Sequence, residues 1–130
     1  MKKYAIMFWK LICMKKIVKT EIKSNNEIKH YNSKAIKTNN RLKYREDDTI
    51  VVLDIKDADL TLRRENKECS YTFTFNKNKS FLEFSLNANN YKFTMDFKTK
   101  KITIKENVIE VIYILEDIEY NYTVNIEEDL

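Results

Sequence analysis

The chain contains no glycine and no proline among its 130 residues. Without glycine it has no glycine-rich phosphate loop, so nucleotide-binding motifs of the Walker and dinucleotide kinds are excluded. Turns that require a positive φ must instead use asparagine or aspartate, which adopt that conformation more readily than other residues with a side chain. Lys, Asn and Ile are abundant, and we attribute the missing residues to the codon bias of an AT-rich genome.

Cysteine and histidine are also scarce, with Cys13, Cys69 and His30 as the only examples. Two cysteines are too few for a disulfide scaffold, and this inventory cannot supply the usual Cys/His zinc site. We therefore expect a reduced, cytoplasmic protein with no cofactor and no bound metal.

Catalytic groups are equally sparse. A nucleophile–base pair would need Cys69 or a serine beside His30, which lies in a polar run that we expect to be solvated. Neighbouring acids such as Asp47 and Asp48 fall at predicted strand ends, where acids commonly form turns and protect sheet edges. We expect the protein not to be an enzyme.

Charge is unevenly distributed along the chain. Residues 1–45 hold thirteen Lys and Arg against two acidic residues, whereas residues 46–130 hold eleven against eighteen. Folding interleaves strands from both regions, and a net charge of +4 attracts phosphate only weakly. Outward-facing aromatic residues for base stacking are also missing, so nucleic acid is not an expected partner.

The first thirteen residues differ from the rest. An apolar run, Tyr4 to Trp9, follows two lysines and is interrupted by Lys10, so it is too short to span a membrane. We interpret residues 1–13 as a leader or a misassigned N-terminal extension, with the domain at residues 14–130. The alternative is a lipoprotein-type signal with Cys13 lipidated, against which the bulky Ile12 argues.

From Leu42 to Ile126, apolar and polar residues alternate with a period of two, which is typical of strands with one buried face. Short connections between them indicate hairpins in series. The pattern predicts an all-β fold, a single antiparallel barrel with meander topology. Its eleven predicted strands are residues 15–24, 27–37, 41–46, 49–56, 58–64, 69–76, 79–87, 91–98, 100–106, 108–116 and 119–127. The alternative is that some neighbours in this series are one bent strand.

The same alternation predicts which side chains face the barrel interior. They are Val18, Ile22, Leu42, Tyr44, Val51, Leu53, Ile55, Leu60, Leu62, Tyr71, Phe73, Phe75, Leu82, Phe84, Leu86, Tyr91, Phe93, Met95, Phe97, Ile102, Ile104, Ile109, Val111, Tyr113, Leu115, Tyr120, Tyr122, Val124 and Ile126.

Five segments together resemble the YwiB-like family of small bacterial proteins: Asn39–Glu46, Asp59–Arg64, Tyr71–Phe73, Tyr91–Met95 and Thr99–Ile102. The resemblance extends from Met14 to Glu128. It implies a calycin-type (lipocalin-like) antiparallel β-barrel and a domain of unknown function. The family commonly has an Arg-x-Gly turn after its equivalent of Leu62. This chain keeps Arg63 but has Glu65 where glycine is usual, and the turn can still form because Asn66 is able to take the positive φ.

Small barrels are either packed solid or hold one small ligand, and both arrangements fit this sequence. We expect a small hydrophobic or amphipathic ligand inside the barrel of a monomer or weak dimer. The alternative is a structural or regulatory protein that binds a protein or RNA through its outer surface. The candidate ligand-binding residues are the interior Tyr71, Phe73, Phe84, Phe93, Met95, Phe97, Tyr113 and Tyr122.

Overall fold

A computed structural model describes residues 13–57 and 59–129, which form ten antiparallel strands. The strands are β1 (Cys13–Ser24), β2 (Glu27–Thr38), β3 (Arg41–Glu46), β4 (Thr49–Lys56), β5 (Asp59–Glu65), β6 (Cys69–Phe75), β7 (Ser80–Leu86), β8 (Lys92–Ile104), β9 (Val108–Leu115) and β10 (Ile118–Glu128). The predicted all-β fold is confirmed. β1 begins at Cys13, one residue before the predicted domain, and residues 1–12 of the predicted leader lie outside the described residues.

Each strand pairs with the next along the chain, and β1 also pairs with β10, which closes the barrel. The predicted single antiparallel barrel with meander topology is therefore confirmed. Because the strands alternate in direction, the turns after β1, β3, β5, β7 and β9 lie at one end of the barrel. We call this the open end, and the opposite end the closed end.

The strands predicted at residues 91–98 and 100–106 are one bent strand, the alternative that the pattern left open, because β8 runs without interruption from Lys92 to Ile104. Its pairing with β9 shifts register between Thr99 and Lys101. A bulge of this kind adds a residue to one strand and bends it. The bend breaks the alternation, which the sequence pattern cannot distinguish from a turn.

The strand pairing in the barrel wall is shortest between β2 and β3. These strands pair only from Ile36–Lys43 to Thr38–Arg41, near the closed end. Among the described residues, the remainder of β2 pairs with β1 alone. One contact bridges the gap, where the Arg45 amide donates to Ser33 Oγ at 3.2 Å.

The closed end is filled by side chains. Phe75, Leu53 and Leu60 are fully buried there. Phe97 packs across Phe75 with ring centroids 5.5 Å apart. A residual space of only about 30 Å³ is present at this end.

Most of the predicted interior residues are buried or half-buried, but three are not. Tyr91, Phe93 and Ile104 are 53%, 37% and 40% exposed. All three lie near strand ends. There the alternation still predicts whether a side chain faces the barrel interior, but it does not predict how deeply that side chain is buried. Conversely, four polar residues are buried that the apolar pattern did not include: Thr20, Glu46, Ser80 and Thr99.

The tight turns form without glycine in two ways. Positive φ angles occur at Asn25, Asn39, Asp47, Asp57, Asn90, Glu116 and Asp117. Asn66, which is able to take a positive φ, does not do so. Its side chain instead accepts hydrogen bonds from the Glu68 and Cys69 amides at 2.9 and 3.0 Å, and so stabilises the β5–β6 turn.

His30 lies on the outer surface and is exposed, as predicted. Cys69, at the start of β6, is half-buried and is in the same inward phase as Tyr71 and Phe73. The outward Ile112 and Ile114 of β9 are half-buried. Residues 13–57 and 59–129 contain no helix long and apolar enough to cross a membrane.

Candidate functional site

Two cavities lie inside the open end of the barrel. The main cavity has a volume of about 340 Å³, and the side cavity of about 320 Å³. Arg64 and Phe73 line both, so the two spaces adjoin. The main cavity is lined by apolar Ile22, Leu62, Phe73 and Leu115, by the hydroxyl-bearing Ser24, Tyr31, Tyr113, Tyr120 and Tyr122, and by charged Glu27, Lys29 and Arg64.

An ion pair lies at the inner end of the main cavity. Glu46 continues the inward series of Leu42 and Tyr44 on β3, and Arg64 continues that of Leu60 and Leu62 on β5. Both side chains therefore point inward, although both are charged. The Glu46 side chain is 0% exposed, and that of Arg64 is 29% exposed.

The contact between them joins Arg64 Nη2 and Glu46 Oε1 at 2.8 Å. This is close enough for an ion pair, but Oε1 has no partner with hydrogen-bond geometry among the described residues. The attraction between the two groups is thus chiefly coulombic.

Tyrosine hydroxyls also stabilise the buried carboxylate of Glu46. Tyr122 donates its hydroxyl proton to Glu46 Oε2 at 2.6 Å. Tyr44 and Tyr122 place their hydroxyl oxygens 2.5 Å apart. Since the single proton of Tyr122 is directed at Glu46, Tyr44 donates to Tyr122. Burial raises the pKa of both tyrosines, and the negative charge of Glu46 raises it further.

Tyr113 presents a different situation. It is buried in the cavity wall, and burial raises its pKa. Its ring stacks on Tyr120 with centroids 5.1 Å apart and an interplanar angle of 14°. No hydrogen bond to its hydroxyl group is found within the described part of the chain. This hydroxyl is therefore available to a molecule in the cavity.

The structure brings together four of the predicted ligand-binding residues. Tyr113 and Tyr122 line the main cavity, Tyr71 lines the side cavity, and Phe73 lines both. The other four lie elsewhere in the wall. Phe84 packs between Tyr71 and Phe93, and Phe97 packs beneath Phe73, whereas Met95 is half-buried and Phe93 exposed.

Sequence reasoning missed the two charged residues of the site, Glu46 and Arg64. A signal for them was present, because each occupies the inward phase of its strand. Two opposite charges in the inward phase of β3 and β5, which are separated only by β4, indicate an interior ion pair, since a charge is buried only with a partner. Within residues 13–57 and 59–129, no three His, Cys, Asp or Glu side chains come together as a metal site.

A further cleft lies on the outer wall, where β2 and β3 diverge. It has a volume of about 530 Å³ and contains four cationic side chains, Lys15, Lys34, Lys43 and Arg45. Asp129 is the one acid that lines it, and Ile36 and Ile50 contribute apolar surface.

Comparison with solved structures identifies a protein of similar fold. The crystal structure of the ywiB protein from Bacillus subtilis is similar, with a TM-score of 0.64 and 13% sequence identity over 95% of this chain and 99% of that chain. The predicted resemblance to the YwiB-like family is thus confirmed at the level of the fold. No protein-family model and no curated protein matches the sequence.

Proposed function

We propose that this protein binds a small amphipathic molecule in the main cavity, at the open end of the barrel. The observation that carries the proposal is the contrast between the two ends. Side chains fill the closed end and leave only about 30 Å³, whereas about 340 Å³ is free at the open end. Ligand pockets typically measure roughly 300–1,000 Å³ and combine apolar walls with a few polar groups.

The composition of the cavity wall supports the same function. Leu62, Phe73 and Leu115 offer apolar contact, and Tyr113 and Arg64 lie among them as polar groups. We propose a binding protein and not an enzyme, because Glu46, the one carboxylate at the inner end, is already engaged by Tyr122 and Arg64. A carboxylate held in this way is poorly placed to accept a proton from a substrate.

Titration with N-phenyl-1-naphthylamine tests the proposal, because this neutral probe fluoresces in apolar surroundings and is of a size to fill the main cavity and part of the adjoining side cavity. We expect a dissociation constant near micromolar, equivalent to about −8 kcal/mol. Leu115→Trp enlarges a half-buried residue of the main cavity and should abolish this binding. The matched control is Leu86→Trp, at a half-buried position of β7 that does not line the main cavity.

Two outcomes would contradict the proposal. One is an absence of probe fluorescence with the folded wild-type protein. The other is equal binding by the Leu115→Trp and Leu86→Trp variants, which would locate the probe outside the main cavity.

A second candidate function uses the outer cleft between β2 and β3. Four cations against Asp129 favour an anionic partner, such as an acidic segment of another protein. Replacing Lys34 and Lys43 with Glu should then abolish binding to a poly-glutamate column at low salt. Retention of the double variant would contradict this function and leave the interior site unaffected.

A further inference from the structure

The inner end of the main cavity offers accessible hydrogen-bond donors. An arginine side chain carries five N–H donors. Within the described residues, the guanidinium of Arg64 has one close contact, from Nη2 to Glu46. Tyr113 adds a hydroxyl for which no hydrogen bond is found in the described part of the chain. Glu46 Oε2 accepts from Tyr122, and Oε1 is fully buried against Arg64 Nη2, so neither oxygen is accessible to a molecule in the cavity.

The charges in the cavity wall and directly behind it cancel. Arg64 lines the cavity and is paired with Glu46, which is buried behind the wall, and Glu27 and Lys29 supply opposite charges at the exposed rim. The side cavity contributes no charge beyond that of Arg64. A ligand with a formal charge would consequently find no spare counterion, and burying an unpaired charge is strongly unfavourable. A carboxylate near Arg64 would also meet repulsion from Glu46.

The volume limits the size of the ligand. About 340 Å³ is available in the main cavity. One water molecule occupies about 30 Å³ of liquid, so the cavity accommodates roughly ten to twelve non-hydrogen atoms. Its apolar wall at Ile22, Leu62 and Leu115 suits an alkyl or aryl body.

From these observations we infer that the ligand is a neutral amphipathic molecule of about this size, with a carbonyl-type acceptor received by Arg64 and Tyr113. The inference rests on the proposed function, since it describes the occupant of the same cavity. An amide, ester or ketone is therefore a better ligand than a fatty acid. The ligand class is thus defined by the absence of a formal charge as well as by apolar character.

Three ligands of nearly equal shape test the inference: decanamide, decanoate and decylammonium. Calorimetric titration at neutral pH should show decanamide binding at least about tenfold more tightly than either ion, equivalent to about 1.4 kcal/mol. Equal or tighter binding of decanoate or decylammonium would overturn the inference. So would binding of the naphthylamine probe without any binding of decanamide. If neither the probe nor any of the three ligands binds, the proposed function itself fails.

A variant then tests the electrostatic reason. Glu46→Gln removes the negative charge while keeping the side-chain shape, and so leaves Arg64 as an unpaired cation facing the cavity. Decanoate affinity should rise about tenfold, and decanamide affinity should change by less than about threefold. The control is Glu65→Gln, because the Glu65 side chain is 48% exposed and pairs with Arg63 on the outside.

Unchanged decanoate affinity in the Glu46→Gln variant, or an equal rise with Glu65→Gln, would contradict the role of Glu46. If Glu46→Gln does not fold, the three-ligand comparison on the wild-type protein still decides the inference.

Discussion

Removing either member of the interior ion pair should destabilise the barrel, but to different extents. Arg64→Met leaves the carboxylate of Glu46 without its counterion, and that side chain is 0% exposed. Breaking a buried pair in this way costs about 3–5 kcal/mol. Because Arg64 itself is 29% exposed, water already screens part of the attraction, and we expect the lower value, about 3 kcal/mol.

The opposite substitution should be milder. Glu46→Gln keeps an oxygen that accepts the hydrogen bond from Tyr122, although the bond loses its charge-assisted part. The unpaired guanidinium of Arg64 can turn its exposed part toward water. We expect a loss of about 1 kcal/mol, the usual difference between a hydrogen bond to a charged group and one to a neutral group.

Urea unfolding followed by circular dichroism measures both losses as shifts of the midpoint at constant slope. The double variant should cost less than the sum of the single ones, since with both substitutions in place neither position buries a charge. Arg63→Met, which removes an exposed arginine paired with Glu65, is the control and should cost less than about 0.5 kcal/mol. A greater loss from Glu46→Gln than from Arg64→Met, or strict additivity, would refute the reasoning.

Further predictions concern the core, the tyrosines and one turn. Phe75→Ala should cost about 3–5 kcal/mol because Phe75 is fully buried, whereas Phe93→Ala should cost about 1 kcal/mol; equal losses in urea unfolding would contradict this contrast. Since the pKa of Tyr122 is raised in the folded protein, its stabilising effect is complete below about pH 10 and is lost as the pH rises further. Melting temperatures should therefore fall less steeply above that pH in Tyr122→Phe than in the wild type, and an identical slope would argue against it. Asn66→Ala removes two hydrogen bonds of the β5–β6 turn and should cost about 1–2 kcal/mol, while Asn66→Asp, which retains the acceptor, should melt close to the wild type.

Much of the fold was predictable because a period of two specifies both a strand and its buried face. The pattern at Tyr71, Phe73 and Phe75 is an example, as these residues lie on the inner face of β6. The bulge in β8 escaped prediction because it arises from pairing with β9, which local sequence does not encode. The exposure of Phe93 was not predicted for a related reason. The burial of an inward-facing side chain depends on its distance from the open end, which the sequence pattern does not give.

The site was less predictable than the fold. Aromatic residues at interior positions indicated a cavity or a packed core without deciding between them, because both use the same side chains. The closed end contains the packed arrangement around Phe75 and Phe97, and the open end contains the cavity. Glu46 and Arg64 were overlooked because charged residues in a strand usually face water, and only their common phase distinguishes these two.

The turns without glycine also affect the unfolded state of the chain. A residue with a side chain in the left-handed region costs up to about 1–2 kcal/mol, and less for Asn and Asp. It also restricts the unfolded ensemble, however, by about 0.4–1 kcal/mol relative to glycine. The two effects nearly cancel at Asn25 and Asp47, so Gly there should leave the melting temperature unchanged. Glu116, at φ 50°, lacks the tolerance of Asn and Asp for this conformation. Glu116→Gly should therefore raise the melting temperature, and a lower melting temperature would contradict this reasoning. In this chain without glycine, the lower conformational entropy of the unfolded state thus offsets most of the backbone strain in the tight turns.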